Sequence, residues 1–126
     1  MRVDGQGASS GINTNGSGIV TIRDSTAIGF GAYSRGMILN GASVFNSYAE
    51  AGGGLAATGA IVSMSSDDHV HNSVINGDLF AVYAQRRAIV RIYSSMIGGD
   101  IGSKGHYICV NSYDDSLQVL DDSCTP

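Results

Sequence analysis

Apolar and polar residues alternate in short runs along this chain, and most of these runs end at a polar residue followed by a serine. Alternation with a period of two is typical of a β-strand with one buried face. The serines are Ser25, Ser47, Ser73, Ser95 and Ser116, which gives spacings of 22, 26, 22 and 21 residues. A nearly constant period in the twenties indicates stacked structural repeats, each forming one coil of a solenoid.

Two further sets of positions stay in phase with these serines. The third residue before each serine is apolar or aromatic, and the residue immediately before each serine is a turn former. Turn formers hydrogen-bond to the local backbone and tolerate left-handed dihedral angles, so each coil is expected to contain a strand that runs into a polar corner. The apolar set is Ile22, Val44, Val70, Ile92 and Tyr113, and the turn set is Asp24, Asn46, Asn72, Ser94 and Asp115.

The pattern predicts an all-β solenoid of about five coils over residues 19–121, after a loose lead-in or incomplete first coil at 1–18 and before a tail at 122–126. A β-sandwich also has strands about every 8–12 residues, but it would not keep these positions in phase. The strands entering the corners are expected at 19–23, 42–45, 68–71, 88–93 and 107–111, and third strands near 37–39, 55–57, 79–83 and 101.

Composition agrees with short strands and narrows the possible partners. The 126 residues include 18 glycines but only one glutamate and one lysine, residues that long helices favour. The net charge of -4 gives no reason to expect binding to nucleic acid or to an anionic membrane. We expect neither a signal peptide nor a membrane span, because no suitable apolar run is present. Cys109 and Cys124 can close one small loop or remain as two free thiols.

Neither end of the repeat shows a convincing cap pattern. Each coil of a solenoid buries its apolar residues only against its neighbours, so the end coils need covering. The first coil is ragged, and residues 121–123 are merely polar. We therefore expect a piece of a longer protein, an oligomer, or both.

The coils at 69–77 and 89–99, with the sequences HVHNSVING and IVRIYSSMIGG, resemble those of right-handed parallel β-helices. This class contains pectate lyases, polygalacturonases, bacterial adhesin passengers and phage tailspikes. The chain is most similar to a tailspike or tail-fibre segment, which implies a homotrimer that contacts a host polysaccharide and is located on a virion or outside the cell. The alternatives are a polysaccharide lyase or hydrolase, or an adhesin passenger, although such passengers usually avoid cysteine.

Strand alternation predicts which side chains point outward from the stack. The residues two before each serine are Arg23, Phe45, His71, Tyr93 and Asp114, and those four before are Thr21, Ser43, His69, Arg91 and Ser112. The candidate polysaccharide-binding residues are Phe45, His69, His71, Arg91 and Tyr93. Aromatic rings would contact sugar faces, while arginine and histidine would donate to hydroxyls or carboxylates. Alternatively, these neighbours only stabilise the sheet by pairing across coils. His106 is expected in a turn.

Asp67, Asp68 and His69 are candidate catalytic residues, since adjacent aspartates beside a histidine resemble the site of polygalacturonase-type hydrolases. Inverting hydrolysis requires two carboxyl groups about 6.5–9.5 Å apart. Consecutive strand residues point to opposite faces, so these two aspartates form such a pair only if the backbone turns between them. The Asn-Thr-Asp and Gly-His-Gly segments of that family are missing, and the alternative is a polar loop.

Asp78, Asp100 and Asp121 each lie five residues after a repeat serine and are candidate metal ligands. If the phase holds, the three carboxylates stack at strand spacing and repel one another unless a cation is shared. Calcium, which prefers oxygen ligands, is the possible cofactor. The alternative is that these are exposed turn residues.

Overall fold

The structure is a computed structural model that describes residues 2–6, 10–14, 19–31, 33–53 and 58–126. These residues form strands and turns without a helix, and the strands stack in parallel as a β-solenoid of about four turns with a period of about 22 residues. The all-β solenoid predicted from the serine spacing is therefore confirmed. Within these same ranges, no helix has the length and apolarity needed to cross a membrane.

Fourteen strands lie in the described part of the chain. They are β1 (Arg2–Gln6), β2 (Ser10–Asn13), β3 (Val20–Arg23), β4 (Thr26–Phe30), β5 (Arg35–Leu39), β6 (Ala42–Phe45), β7 (Tyr48–Gly52), β8 (Gly59–Ser63), β9 (Asp67–His71), β10 (Val74–Ala84), β11 (Ile89–Tyr93), β12 (Met96–Ile101), β13 (His106–Val110) and β14 (Tyr113–Asp114).

Two parallel sheets enclose the core. The five-stranded sheet has the order β13-β11-β9-β6-β3, and the nine-stranded sheet has the order β1-β4-β7-β10-β8-β5-β2, with β12 paired to β10 and β14 paired to β12. The 11-residue β10 pairs with β7 at its beginning and with β8 at its end, so the nine-stranded sheet supplies two successive positions of a coil. A coil therefore presents three strand positions.

The core consists of apolar columns that run along the solenoid axis. In the five-stranded sheet Val44 pairs with Val70, Val70 with Ile92, and Ile92 with Cys109. Val70 and Ile92 have no exposed surface, and Cys109 is 4% exposed. Parallel stacking places like residues at a strand spacing of about 4.8 Å, so each coil buries its apolar side chains against the next coil.

A ladder of serine hydrogen bonds, the serine ladder, fixes the corner that follows each strand of the five-stranded sheet. Each hydroxyl donates to the backbone carbonyl two residues earlier, at 2.7–3.1 Å. Successive serines are joined because each backbone N–H donates to the next hydroxyl, at 3.0–3.2 Å. The residue before each serine has a φ of 48–51°, the left-handed conformation expected of the turn set. The members are Ser25, Ser47, Ser73, Ser95 and Ser112.

The predicted phase of the last coil is wrong, because its ladder serine is Ser112 and not Ser116. The third strand position expected near residue 101 is present only as Ile101 at the end of β12, which pairs with Val82, and residues 102–105 join it to β13. The coil is therefore shorter, and Ser112 follows Ser95 by only 17 residues. Cys109 takes the apolar position that the spacing assigned to Tyr113. Likewise, Asn111 takes the left-handed position assigned to Asp115.

Residues 113–126 form a C-terminal cap that the sequence pattern did not predict. Leu120 and Cys124 are 7% and 3% exposed and belong to the core cluster. The Cys109 N–H donates to the carbonyl of Asp122 at 3.1 Å. A disulfide bond joins Cys109 to Cys124, so the closed loop, and not the pair of free thiols, is the form in the structure.

The beginning of the chain also takes part in the stack. The strand β1 pairs with β4 and β2 pairs with β5, so the described residues of the lead-in form an incomplete first coil. The third strands near 37–39 and 79–83 correspond to β5 and to the end of β10. The third strand expected at 55–57 lies outside the described residues.

Replacing Ser73 with alanine is expected to lower the free energy of unfolding by about 1–3 kcal/mol, the usual cost of leaving one buried donor unpaired. The Ser47 N–H would lose its acceptor, whereas the carbonyl of His71 would still accept from the Asn46 N–H at 3.1 Å. Urea unfolding monitored by circular dichroism measures the change. Ser43→Ala, on the outer face, is the control and should change stability by less than about 0.5 kcal/mol. Equal stability of both variants would contradict a structural role for the ladder.

Candidate functional site

The outer face of the five-stranded sheet carries the predicted ligand-binding residues in two neighbouring columns. The columns are Arg23, Phe45, His71 and Tyr93, and Thr21, Ser43, His69 and Arg91. The predicted last members of these columns are wrong, because β13 places Val110 and Ile108 there and not Asp114 and Ser112. This change follows from the shifted phase of the last coil.

Phe45, His71 and Tyr93 form a ring stack along the solenoid axis. The centroids of Phe45 and His71 are 4.7 Å apart with an interplanar angle of 10°. Those of His71 and Tyr93 are 4.6 Å apart with an angle of 13°. The guanidinium carbon of Arg23 lies 4.4 Å from the centroid of Phe45, so a cation–π contact extends the stack by one strand.

Both faces of the His71 ring are covered by its neighbours, and one face of Phe45 is covered by Arg23. These rings therefore pair across coils, as the alternative interpretation of the column proposed. A ligand that lies along this column meets ring edges, the imidazole nitrogens, the guanidinium group and the hydroxyl of Tyr93. The stacking of sugars on ring faces, expected from the sequence, is blocked at the middle ring.

A polar cluster of His69, Asp67 and Arg91 flanks the ring stack. The Nε of Arg91 donates to Oδ1 and Oδ2 of Asp67 at 3.0 and 3.1 Å. The Nε2 of His69 lies 3.4 Å from Oδ1 of Asp67. The three side chains are 32–44% exposed, so all of them remain accessible from solvent. The Asp67 hydrogen bonds raise the pKa of Arg91 above its usual value, and its guanidinium stays charged.

The stack sets the charge state of its central ring. Partial burial, followed by the nearby charge of His69, lowers the pKa of His71 below the usual 6.5. The His69 ring is 6.3 Å from that of His71 and 6.4 Å from that of Tyr93. At neutral pH His71 is therefore a neutral imidazole with one nitrogen that donates and one that accepts.

His106 belongs to this face, although a turn position was expected for it. It is the first residue of β13 and pairs with Ile89, which in turn pairs with Asp67. His106 is exposed, and the outward column beside His69 and Arg91 therefore consists of Asp67, Ile89 and His106. The prediction missed it because the strand was expected to begin one residue later. The sequence signal for this placement was that His106 and Ile108 are separated by one residue, the spacing of side chains on the same face of a strand.

The candidate catalytic residues Asp67 and Asp68 point to opposite sides of β9. Asp68 has no exposed surface, and its Oδ1 accepts from the Ala42 N–H at 2.7 Å. Its Oδ2 accepts a short hydrogen bond from the hydroxyl of Ser63. The backbone does not turn between the two aspartates, so they do not line one water-filled site together. On the outer face Asp67 and His69 remain adjacent.

The candidate metal ligands Asp78, Asp100 and Asp121 do not stack. Irregular register in β10 pairs Asp100 with Phe80, and Oδ2 of Asp78 accepts from the Gly53 N–H at 3.1 Å. Asp121 lies in the cap, where hydrogen bonds from Thr125 and Ser123 lower the pKa of its carboxyl. In the described ranges, no three acidic, histidine or cysteine residues are grouped as a metal site requires.

Comparisons with known proteins add no relative to this description. No protein-family model, no curated protein and no solved structure matches the chain. The parallel β-solenoid is the class of protein that the fold defines.

Proposed function

We propose that this chain is a structural and recognition β-helix module that contacts a polysaccharide through the outer face of its five-stranded sheet. One observation carries the proposal, the ring stack of Phe45, His71 and Tyr93 with the polar cluster beside it. Stacking already restricts the side-chain rotamers, so ligand binding would cost little additional side-chain entropy, and the hydrogen-bonding groups are already positioned.

The contact would be made through polar groups at ring edges. Tyr93 offers a hydroxyl, and His69 and His71 offer imidazole nitrogens, which can donate to or accept from sugar hydroxyls. Both histidines lie on β9, and Tyr93 lies on the neighbouring β11, one strand spacing of about 4.8 Å away. A linear polymer that follows the solenoid axis can therefore engage several of them at once.

We further propose that the module belongs to a tailspike or tail fibre, works on a virion or outside the cell, and assembles as a homotrimer. Disulfide bonds persist in oxidising surroundings such as virion surfaces, and the bond between Cys109 and Cys124 supports that location. Exposed large apolar side chains such as Phe30 and Leu117, 61% and 75% exposed, support burial in an assembly. Light scattering that gives the mass of a single chain would rule out the trimer.

Replacing Tyr93 with phenylalanine is expected to weaken polysaccharide binding by about 2–10-fold, the effect of losing one hydrogen bond of about 0.5–1.5 kcal/mol. The ring remains, so the stack and the stability should persist. Affinity electrophoresis in gels that contain acidic or neutral polysaccharides measures binding. Tyr33→Phe is the matched control, because Tyr33 lies in a turn outside the five-stranded sheet and is 67% exposed.

Three results would contradict this proposal. One is that the native chain migrates equally with and without every polysaccharide in a broad panel. Another is that the Tyr93 and Tyr33 variants lose affinity to the same extent, which would place the contact elsewhere. The third is shortened polymer in the same mixtures, because cleavage would favour the alternative of a polysaccharide-degrading enzyme.

A further inference from the structure

All three histidines of the chain lie on the outer face of the five-stranded sheet. His69 and His71 are on β9, and His106 is on β13. Among the outward positions of these five described strands, Asp67 is the single acidic residue, and it is paired with Arg91. Such a face has little negative charge and three imidazole groups, each of which can bind a proton.

The charged groups around these histidines are mostly basic. On the face itself they are Arg23, Arg91 and Asp67, with the phenol of Tyr93 beside them. At its borders they are Asp24 in the corner after β3, Arg86 and Arg87 in the turn before β11, Lys104 in the turn before β13, and Asp122, whose backbone carbonyl accepts from Cys109 of β13. With neutral histidines, the five basic and three acidic groups already leave this region positive.

The acidic excess of the chain lies at its C-terminal end. Residues 1–95 contain six arginines and six acidic residues, whereas residues 96–126 contain one lysine and five aspartates. The net charge of -4 is therefore contributed by the last coil and the cap. An anionic polymer would be repelled from that end and attracted to the outer face of the five-stranded sheet.

We infer that the polysaccharide bound by this face is anionic and that its binding takes up protons, so that the three histidines strengthen the contact as the pH falls. This inference rests on the proposed function, since it specifies the ligand class and the regulation of the same face. The shared chemistry is a repeated negative charge, whether carboxylate or sulfate.

The position of His71 couples the proton to the ligand. In the free protein, burial and the charge of His69 lower the pKa of His71, so the imidazole resists protonation. The unfolded chain then binds more protons below about pH 6.5, and the free fold loses stability as the pH falls through that range. A bound anion beside His71 would offset that repulsion and favour the protonated imidazole. Proton uptake on binding is the thermodynamic consequence.

Isothermal titration calorimetry with hyaluronan, dextran sulfate and neutral dextran tests the inference at pH 7.5 and 5.5 and constant ionic strength. Affinity for the two anionic polymers should be at least about tenfold higher at pH 5.5, since each proton taken up changes Kd about tenfold per pH unit. Enthalpies in buffers of different ionisation heat give the number of protons. Dextran sulfate stays fully charged over this range, so its pH dependence reports the protein alone.

The variant H69Q/H106Q leaves the ring stack in place and should retain the part of the proton uptake that belongs to His71. The additional change His71→Gln should remove the remainder. Binding of any polymer with equal affinity at both pH values would overturn this inference and leave the proposed function standing. A pH dependence that survives replacement of all three histidines would also overturn it. Failure of all three polymers to bind at either pH would contradict the proposed function as well.

Discussion

Replacing Asp68 with alanine is expected to lower the free energy of unfolding by about 2–5 kcal/mol. The carboxylate has no exposed surface and accepts hydrogen bonds from the Ala42 N–H and the Ser63 hydroxyl. These donors belong to the strands before and beside β9, so Asp68 holds separate parts of the coil together. Alanine would leave both donors buried without an acceptor. Urea unfolding measured by circular dichroism gives the change.

Two further variants test whether the loss of stability comes from the buried hydrogen bonds of Asp68. Asp68→Asn keeps one oxygen for Ala42 and an amide that can donate to Ser63, so its loss of stability should be clearly smaller. Asp67→Ala removes an exposed ion pair with Arg91 and should change stability little. The interpretation of Asp68 as a structural residue would be contradicted if the alanine variants at 67 and 68 had the same stability.

Removing the disulfide bond by the double change Cys109→Ala and Cys124→Ala is expected to cost about 3 kcal/mol, as estimated for a loop of about 15 residues. In a solenoid each coil contacts only its neighbours, so the loss should be concentrated at the C-terminal end. Hydrogen exchange should accelerate in β13 and in residues 113–126, while β6 and β9 keep their protection.

The control for this variant is Val119→Ala, because Val119 also lies in the cap but is 75% exposed. Its effect should stay within about 0.5 kcal/mol. Exchange that accelerates uniformly along the whole stack after loss of the disulfide would contradict the description of residues 113–126 as a local cap.

The stacking of the coils could be predicted from sequence because the chemistry of each corner repeats. A ladder serine needs a preceding residue with positive φ, and Asp24, Asn46 and Asn72 meet that requirement before their serines. The last coil was misplaced because a constant period was preferred to this local rule. Asn111 followed by Ser112 has the same pair of residues as the corners at 46 and 72, and that pair was the better signal.

The orientation of the rings was beyond the sequence pattern. Alternation placed Phe45, His71 and Tyr93 on one outward column, and the register agrees with that placement. Whether rings in such a column stack on one another or expose their faces depends on side-chain rotamers, which residue spacing does not determine. The stacked arrangement changes the proposed contact from ring faces to ring edges.

The cap was missed for a different reason. The cap folds back on itself through an isolated antiparallel bridge between Tyr113 and Val119. This bridge is not part of a repeat, so the spacing of repeated residues could not predict it. Its cohesion comes from Leu120 and from the bond between Cys109 and Cys124, contacts that depend on how the tail folds back. In contrast, strand alternation alone correctly separated Asp67 from Asp68.

The position of every outward side chain depends on the parallel, in-register stack, and nuclear Overhauser contacts measured on labelled protein test this stack most directly. The stack predicts backbone contacts from Val44 to Val70 and from Val70 to Ile92. Along each pair of strands, the next residue of one strand should contact the next residue of the other, as parallel pairing requires. The ring protons of His71 should contact those of both Phe45 and Tyr93. Contacts in which the residue number rises along one strand and falls along its partner would show antiparallel sheets and would contradict the parallel solenoid.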